Sequence, residues 1–147
     1  MIRTENTIII NAPGDKVFSV VSDFEAWPQF IPAYQEVKIV KKEDNRLVIE
    51  RKGEVRGKPV FWKSEVKLEP PASIKSKQVE GPIPDMEIEW CLEETEGGTR
   101  IILSHNFEYK KIPLLGYIIG RLIVAKIVYK MADETLQAIK NRVENQV

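Results

Sequence analysis

The chain has a single cysteine, Cys91, and a single histidine, His105. One thiol excludes an internal disulfide framework and any multi-cysteine metal site, and one imidazole excludes a two-histidine centre. Excess charge of either sign is also missing: 22 Lys and Arg balance 22 Asp and Glu. A broad nucleic-acid footprint needs surplus basic charge on one face, so no nucleic-acid partner is expected. Long apolar runs are absent too. The longest nearly uncharged stretch, Ile112 to Ala125, is interrupted by Arg121 and is too short to cross a membrane. The first ten residues carry Arg3 and Glu5 and no signal-peptide core. With no targeting segment and a lone thiol, the expected location is cytoplasmic. No glycine-rich phosphate loop, nucleophile elbow or paired-acid motif occurs, so neither a metal nor a cofactor is expected.

What is present is a chain of 147 residues, 43% hydrophobic and 30% charged, the size of one domain spanning 1–147. Such a length buries roughly 70% of its extended-chain surface, enough for a core with a cavity. Arg3 to Ile10 ends in a β-branched run and reads as a strand. Asn11 is placed to cap a helix carrying Val17, Phe18, Val20 and Val21, with Pro13 and Asp15 in its first turn. Asp23 is placed to cap a second short helix through Phe24 and Trp27, stopped by Pro28 and Pro32. Six period-two segments follow: Tyr34 to Lys42, Arg46 to Val55, Val60 to Leu68, Ser73 to Glu80, Met86 to Glu93, and Thr99 to Tyr109. One face is apolar and the other charged, the pattern of an antiparallel sheet wet on its outer side.

From Pro113 the period becomes 3.6. Ala125, Val128, Ala132, Leu136, Ile139 and Val143 share one face, opposite Lys126, Lys130, Glu134 and Gln137. A helix of about 30 residues is ~45 Å long and can cross the whole sheet. The expected class is α+β: a curved antiparallel sheet wrapped around a long C-terminal helix, with two short helices after the first strand.

That element order, with three local motifs, resembles the START-like (SRPBCC) superfamily and its helix-grip fold, within it the polyketide cyclase/dehydrase and coenzyme Q-binding branch. The motifs are Asn11-Ala12-Pro13 with Val17-Phe18, the run Ser22 to Pro32, and the stretch from Leu114-Leu115-Gly116 through Arg121-Leu122 to Met131 to Leu136. Gly81-Pro82 before a strand bearing Trp90 also fits. The resemblance implies a deep, mostly apolar pocket between sheet and long helix. It implies a ligand such as a lipid, isoprenoid quinone or polyketide, and it carries over no catalytic residue.

Strand phase nominates the pocket wall. Trp62, Ile88, Trp90, Leu103 and Phe107 point inward, with Ala125 and Val128 facing them from the helix. A cavity of ~300 Å³ or more there suits such ligands. His105 shares its phase with Leu103 and Phe107, and can polarise a carbonyl, shuttle a proton, or simply bond at the wall. Arg51 is in phase with Leu47 and Ile49. It either recognises a ligand oxygen, pairs with Glu80, or is turned out by a bulge near Gly53. Arg121 falls on the apolar helix face near the expected pocket mouth, as a polar handle or a snorkelling side chain. Trp27, Phe30 and Ile31 are packing or a lid. Cys91, among Glu87, Glu89 and Glu93, is an inert half-exposed thiol.

The function expected is binding or transport of a hydrophobic or amphipathic small molecule. The alternatives are an aromatase/cyclase-type enzyme using His105 and Arg51, and a partner-binding module like the ribosome-associated branch. The buried stripe covers only about half of the apolar residues between Ile112 and Ala125, which leaves Ile119, Ile123 and Ile127 facing outward. That strip is a homodimer surface, a gate, a peripheral membrane contact, or a face covered by the loop after Pro32 or Gly81.

Overall fold

The computed structural model describes residues 1–108 and 114–145, with side chains in the last helix described from Gly120 onward. It contains β1 (Ile2–Ile10), α1 (Gly14–Ser22), a 3-10 helix (Phe24–Gln29), β2 (Tyr34–Glu43), β3 (Arg46–Val55), β4 (Lys58–Glu69), β5 (Ser73–Glu80), β6 (Glu87–Thr95), β7 (Gly98–Phe107) and α2 (Leu114–Glu144). The seven strands form one antiparallel sheet in the order β1-β7-β6-β5-β4-β3-β2. Every strand from β2 to β7 pairs with its sequence neighbour, while β1 crosses over to pair with β7.

Curvature comes from bulges. The β2–β3 register slips between Tyr34 and Glu36 and again between Ile39 and Lys41, and the β4–β5 register slips at Lys63/Ser64. An extra residue on one strand bends it and increases its twist. The concave face then buries the inward set of every strand against α2, whose buried stripe is Val128, Ala132, Leu136, Ile139 and Val143. This is the helix-grip arrangement expected from the patterning, and α2 starts within one residue of the point where the hydrophobic period changes.

Local departures have identifiable causes. Asn11 does not cap α1: the N-cap position is Pro13, and the Asn11 backbone N–H donates instead to Glu144 Oε2 at 2.8 Å. Asp23 precedes the 3-10 helix without a side-chain capping bond, and Pro28 lies inside that helix rather than ending it. The β3–β4 turn is Arg56-Gly57, both at positive φ, so β4 begins at Lys58 and takes Pro59 into the strand. The last strand ends at Phe107, and Tyr109 lies outside the described residues. On α2, Ile123 is exposed as expected, whereas Ile127 is half-buried and Leu122 is the more exposed residue. The side chain of Ile119 lies outside the described residues.

Among the described residues the buried apolar side chains form two clusters, with Ile88 packed against both. A large cluster joins α1, the 3-10 helix, the strands and the C-terminal half of α2. A smaller one joins Ile2, Met86, Phe107 and Val128, with Ile88, Val124 and Ala125 packed on it. Buried polar side chains Asn6, Arg51, Ser64, Ser76, Gln78 and His105 share the same sheet face.

Candidate functional site

Period-two alternation on β3 carries Arg51 inward with Leu47 and Ile49, and the guanidinium is only 6% exposed. It neither turns out nor pairs with Glu80. Its Nη1 donates to Ser64 Oγ at 3.1 Å, the side chain that β4 presents one pair along on the same face. Its Cζ lies 5.7 Å from the ring centroids of both Phe24 and Trp27, within cation–π range. Tyr34, at the start of β2, closes the group. Its ring stands 5.2 Å from Trp27 and 5.7 Å from Trp62. Trp27 in turn meets the edge of Trp90 at 5.9 Å. An arginine thus sits inside a wall of aromatic faces.

Two glycines make the wall possible. Gly53 lies opposite Tyr34 in the β2–β3 ladder. A Cβ at Gly53 would run into the Ala33 carbonyl oxygen and stand 3.0 Å from Trp62 Cη2, so its bare backbone leaves room for the indole. Gly81 has φ 139°, a region that side chains rarely adopt. A Cβ there would lie 2.7 Å from Trp62 Cβ and 2.8 Å from Gln78 Oε1.

The electrostatics favour a neutral tyrosine beside a cation. Burial raises the Tyr34 pKa, opposed by the Arg51 charge and by Thr135 on α2. Burial likewise lowers that of Arg51, opposed by Tyr34. Guanidinium starts so high that it stays charged, so at neutral pH the site holds a hydroxyl donor and a cation. No carboxylate pairs with Arg51 among the described residues, and its Nε has no hydrogen-bond partner.

His105 points inward as its phase requires and is 9% exposed. It lies between Thr4 of β1 and Ile88 of β6 in the ladders, and Ser76 of β5 follows Ile88 in the same row. Thr4 Oγ1, Asn6 Oδ1, Ser76 Oγ and His105 Nδ1 are all buried without a partner among the described residues. This second polar group is separate from the first. Strands β6, β5 and β4 intervene between His105 and Arg51, about 19 Å along the sheet at the usual strand spacing. The two residues nominated together for a catalytic role therefore do not converge.

Burial pushes the His105 imidazole down to about 4. The unfolded chain takes up this proton near pH 6.5 and the folded protein only near 4. Acid therefore favours unfolding: the contribution is complete above pH 6.5 and is lost progressively as the pH falls toward 4. The expected loss is up to about 3 kcal/mol. Urea midpoints measured across that window should fall in the wild type and flatten in His105→Gln; an equal slope in both would show that another group carries the acid sensitivity.

The other nominated residues divide between the two clusters. Trp90 and Leu103 are paired across β6 and β7 in the larger one, while Phe107, Ala125 and Val128 belong to the smaller, with Ile88 packed against both. Trp62 pairs with Arg51 across β3 and β4. Arg121 is half-buried, and its Nη2 donates to the Met1 carbonyl oxygen at 3.0 Å. Cys91 donates to Glu89 Oε1 at 3.3 Å; burial, with Glu89 and Glu93 beside it, raises its pKa and leaves an unreactive thiol. Trp27 and Ile31 are core residues, and Phe30 packs under the Arg142 guanidinium at 5.1 Å.

Two clefts are formed by the described residues. One, of about 660 Å³, runs between Phe30 to Ala33 and the outer face of α2 from Asp133 to Asn145. The other, of about 540 Å³, runs from β2 to β7, with outward Arg46, Lys67 and Glu87 and inward Leu47, Ser76 and Ile88 in its lining. The side chains at 114–119, at the start of α2, lie outside the described residues.

Sequence reasoning did not nominate Tyr34, Phe24, Ser64 or Thr135. Ser64 left a signal, a small polar residue at an inward position between Trp62 and Val66. Tyr34 and Phe24 left none, because their place beside Arg51 is set by how the segment before β2 crosses the sheet.

A family model described as polyketide cyclase / dehydrase and lipid transport matches residues 10–134. A Streptomyces cyaneus protein provisionally named a polyketide cyclase is 32% identical over 112 residues, 74% of each chain. Among solved structures, the Zhui aromatase/cyclase of a Streptomyces species superposes with a TM-score of 0.88 at 23% identity, covering 97% of this chain and 93% of that one. A START superfamily protein from Mycobacterium smegmatis gives 0.80 at 20% identity, covering 97% of each. At those identities the structural matches establish the fold, and the sequence matches establish kinship. Helix-grip architecture, the family match over most of its length and the Streptomyces relative together place this chain in the polyketide cyclase / dehydrase and lipid transport family of the START-like superfamily.

Proposed function

We propose that the chain binds a hydrophobic small molecule bearing carbonyl or acidic oxygens, of the polyketide type, between the concave sheet face and α2, with Arg51 as the group that receives an oxygen. The buried guanidinium carries this reading. A cation withdrawn from water without an acid partner costs several kcal/mol, and a ligand oxygen supplies the missing acceptor. Phe24, Trp27, Tyr34 and Trp62 add flat apolar faces suited to a conjugated ring system. Relatives named for polyketide chemistry favour that ligand class. Isoprenoid quinones and other lipids that combine an apolar body with carbonyl oxygens fit the same description.

A cyclase/dehydratase-type reaction is the second reading, favoured by the Tyr34–Arg51 pairing. Arg51 can stabilise an oxyanion developing on a substrate carbonyl, and Tyr34, kept protonated by burial, can donate a proton to it. His105, neutral at pH 7, is the available proton acceptor, but three strands lie between it and Arg51. This reading therefore requires an elongated substrate.

All three tryptophans line or approach the inner layer, so binding should report itself in their fluorescence. Titration with a trihydroxyanthraquinone should give saturable quenching. Anthracene, of similar shape without oxygens, should bind at least ~10-fold more weakly, the loss expected for one hydrogen bond to a charged group. Equal affinity for both probes, or no saturable quenching by either, would remove the polar-handle reading.

A further inference from the structure

The solvent-facing side of the first half of α2 combines large apolar side chains with lysines. Leu122 is 68% exposed, Tyr129 51% and Ile123 42%, and Lys126 and Lys130 are exposed among them. At 3.6 residues per turn these five occupy one sector of about 120°. Along the helix as far as Ala132 the charge is of one sign, and Asp133 then follows in the same sector one turn after Tyr129. From Tyr109 to Ala132 the sequence has no Asp or Glu, and it has Lys110, Lys111, Arg121, Lys126 and Lys130. In a chain of zero net charge this is segregation, and it ends abruptly at Asp133 and Glu134. Neither Lys126 nor Lys130 forms a salt bridge among the described residues. Arg121 ties this turn of the helix to Met1, itself highly exposed, so the start of β1 extends the same surface, where the Met1 amine is paired with Glu108 at 3.2 Å.

We infer that this face docks on the surface of a membrane containing anionic lipids. Leucine and isoleucine side chains enter the boundary between headgroups and acyl chains, tyrosine suits the headgroup level, and lysine stems run along the apolar surface to reach lipid phosphates. Contact lies in the plane of the surface: no helix among the described residues is long and apolar enough to span a bilayer. A second copy of the chain is a poorer occupant. A symmetric contact through Leu122 and Ile123 would bring together two copies of a face that carries Arg121, Lys126 and Lys130, and like charge across an interface is costly. On their inner side the same turns, through Val124, Ala125 and Val128, pack with Ile2, Met86 and Phe107, so docking would seat the lipid surface directly over the smaller apolar cluster.

Co-sedimentation with vesicles tests this. The protein should bind mixed phosphatidylcholine–phosphatidylglycerol vesicles, bind pure phosphatidylcholine much less, and dissociate as salt is raised. Lys126→Gln with Lys130→Gln should weaken binding roughly 5-fold per lysine. Leu122→Ser with Ile123→Ser should weaken it at least ~10-fold. The four positions are solvent-facing, and thermal melts of both variants should match the wild type. The lysine pair also serves as the test if the serine pair fails to fold. Absence of vesicle binding, indifference to anionic lipid, or unchanged binding in the folded variants overturns the proposal. A dimer that dissociates in these variants without any vesicle binding overturns it in favour of a second copy.

Discussion

Replacing Trp27 by alanine should lower stability by about 3–5 kcal/mol, a large share of what a domain of this size has to spare. Trp27 is only 2% exposed and belongs to a six-residue 3-10 helix that has little backbone stability of its own. Its indole meets Phe24, Tyr34 and Trp90, and its Nε1–H donates to the Val21 carbonyl at 3.2 Å, tying the short helix to the end of α1. Alanine removes the packing, leaves a cavity beneath Arg51 and strips an acceptor of its buried donor. Urea unfolding followed by circular dichroism measures the loss. A change under about 1 kcal/mol would mean that the segment before β2 collapses to refill the space.

Arg51→Met should separate stability from binding. Methionine fills the same channel between Phe24, Trp27 and Ser64 without a charge to desolvate. Replacing a buried charge by an apolar residue of similar volume is commonly neutral or stabilising by up to about 4 kcal/mol, so the urea midpoint should hold or rise. Affinity for the hydroxyanthraquinone should fall ~10- to 100-fold, the worth of a hydrogen bond to a charged group. A variant that loses several kcal/mol of stability while binding normally would identify Arg51 as a structural residue, held by its aromatic neighbours and Ser64.

Strand phase was legible in the residues because successive side chains alternate between faces whatever the tertiary context. That alone placed Arg51, Trp62, Trp90, Leu103, His105 and Phe107 on the inner face, where the structure has them. The change of period near Pro113 marked the long helix, and its stripe from Val128 to Val143 is the one that packs. Helix ends were less legible. Asn11 has the composition of a cap, yet its backbone N–H is taken by Glu144, which arrives from the far end of the chain.

Phase assigns a residue to a face and says nothing of its lateral position or its neighbours. His105 and Arg51 read alike in sequence, but strand order sets three strands between them. The aromatic surroundings of Arg51 come from Phe24, Trp27 and Tyr34, which reach it only because the segment before β2 folds across the concave face and because Gly53 and Gly81 leave space for Trp62. Arg121 looked like a pocket-mouth residue on a helical wheel, and the arrival of β1 beside α2 gave it the Met1 carbonyl as its partner. Local periodicity thus determined the elements and their buried faces, being a property of backbone geometry. Which polar groups share a site was decided by long-range packing, since contacts between distant segments depend on strand order, bulges and close approaches that no local pattern encodes.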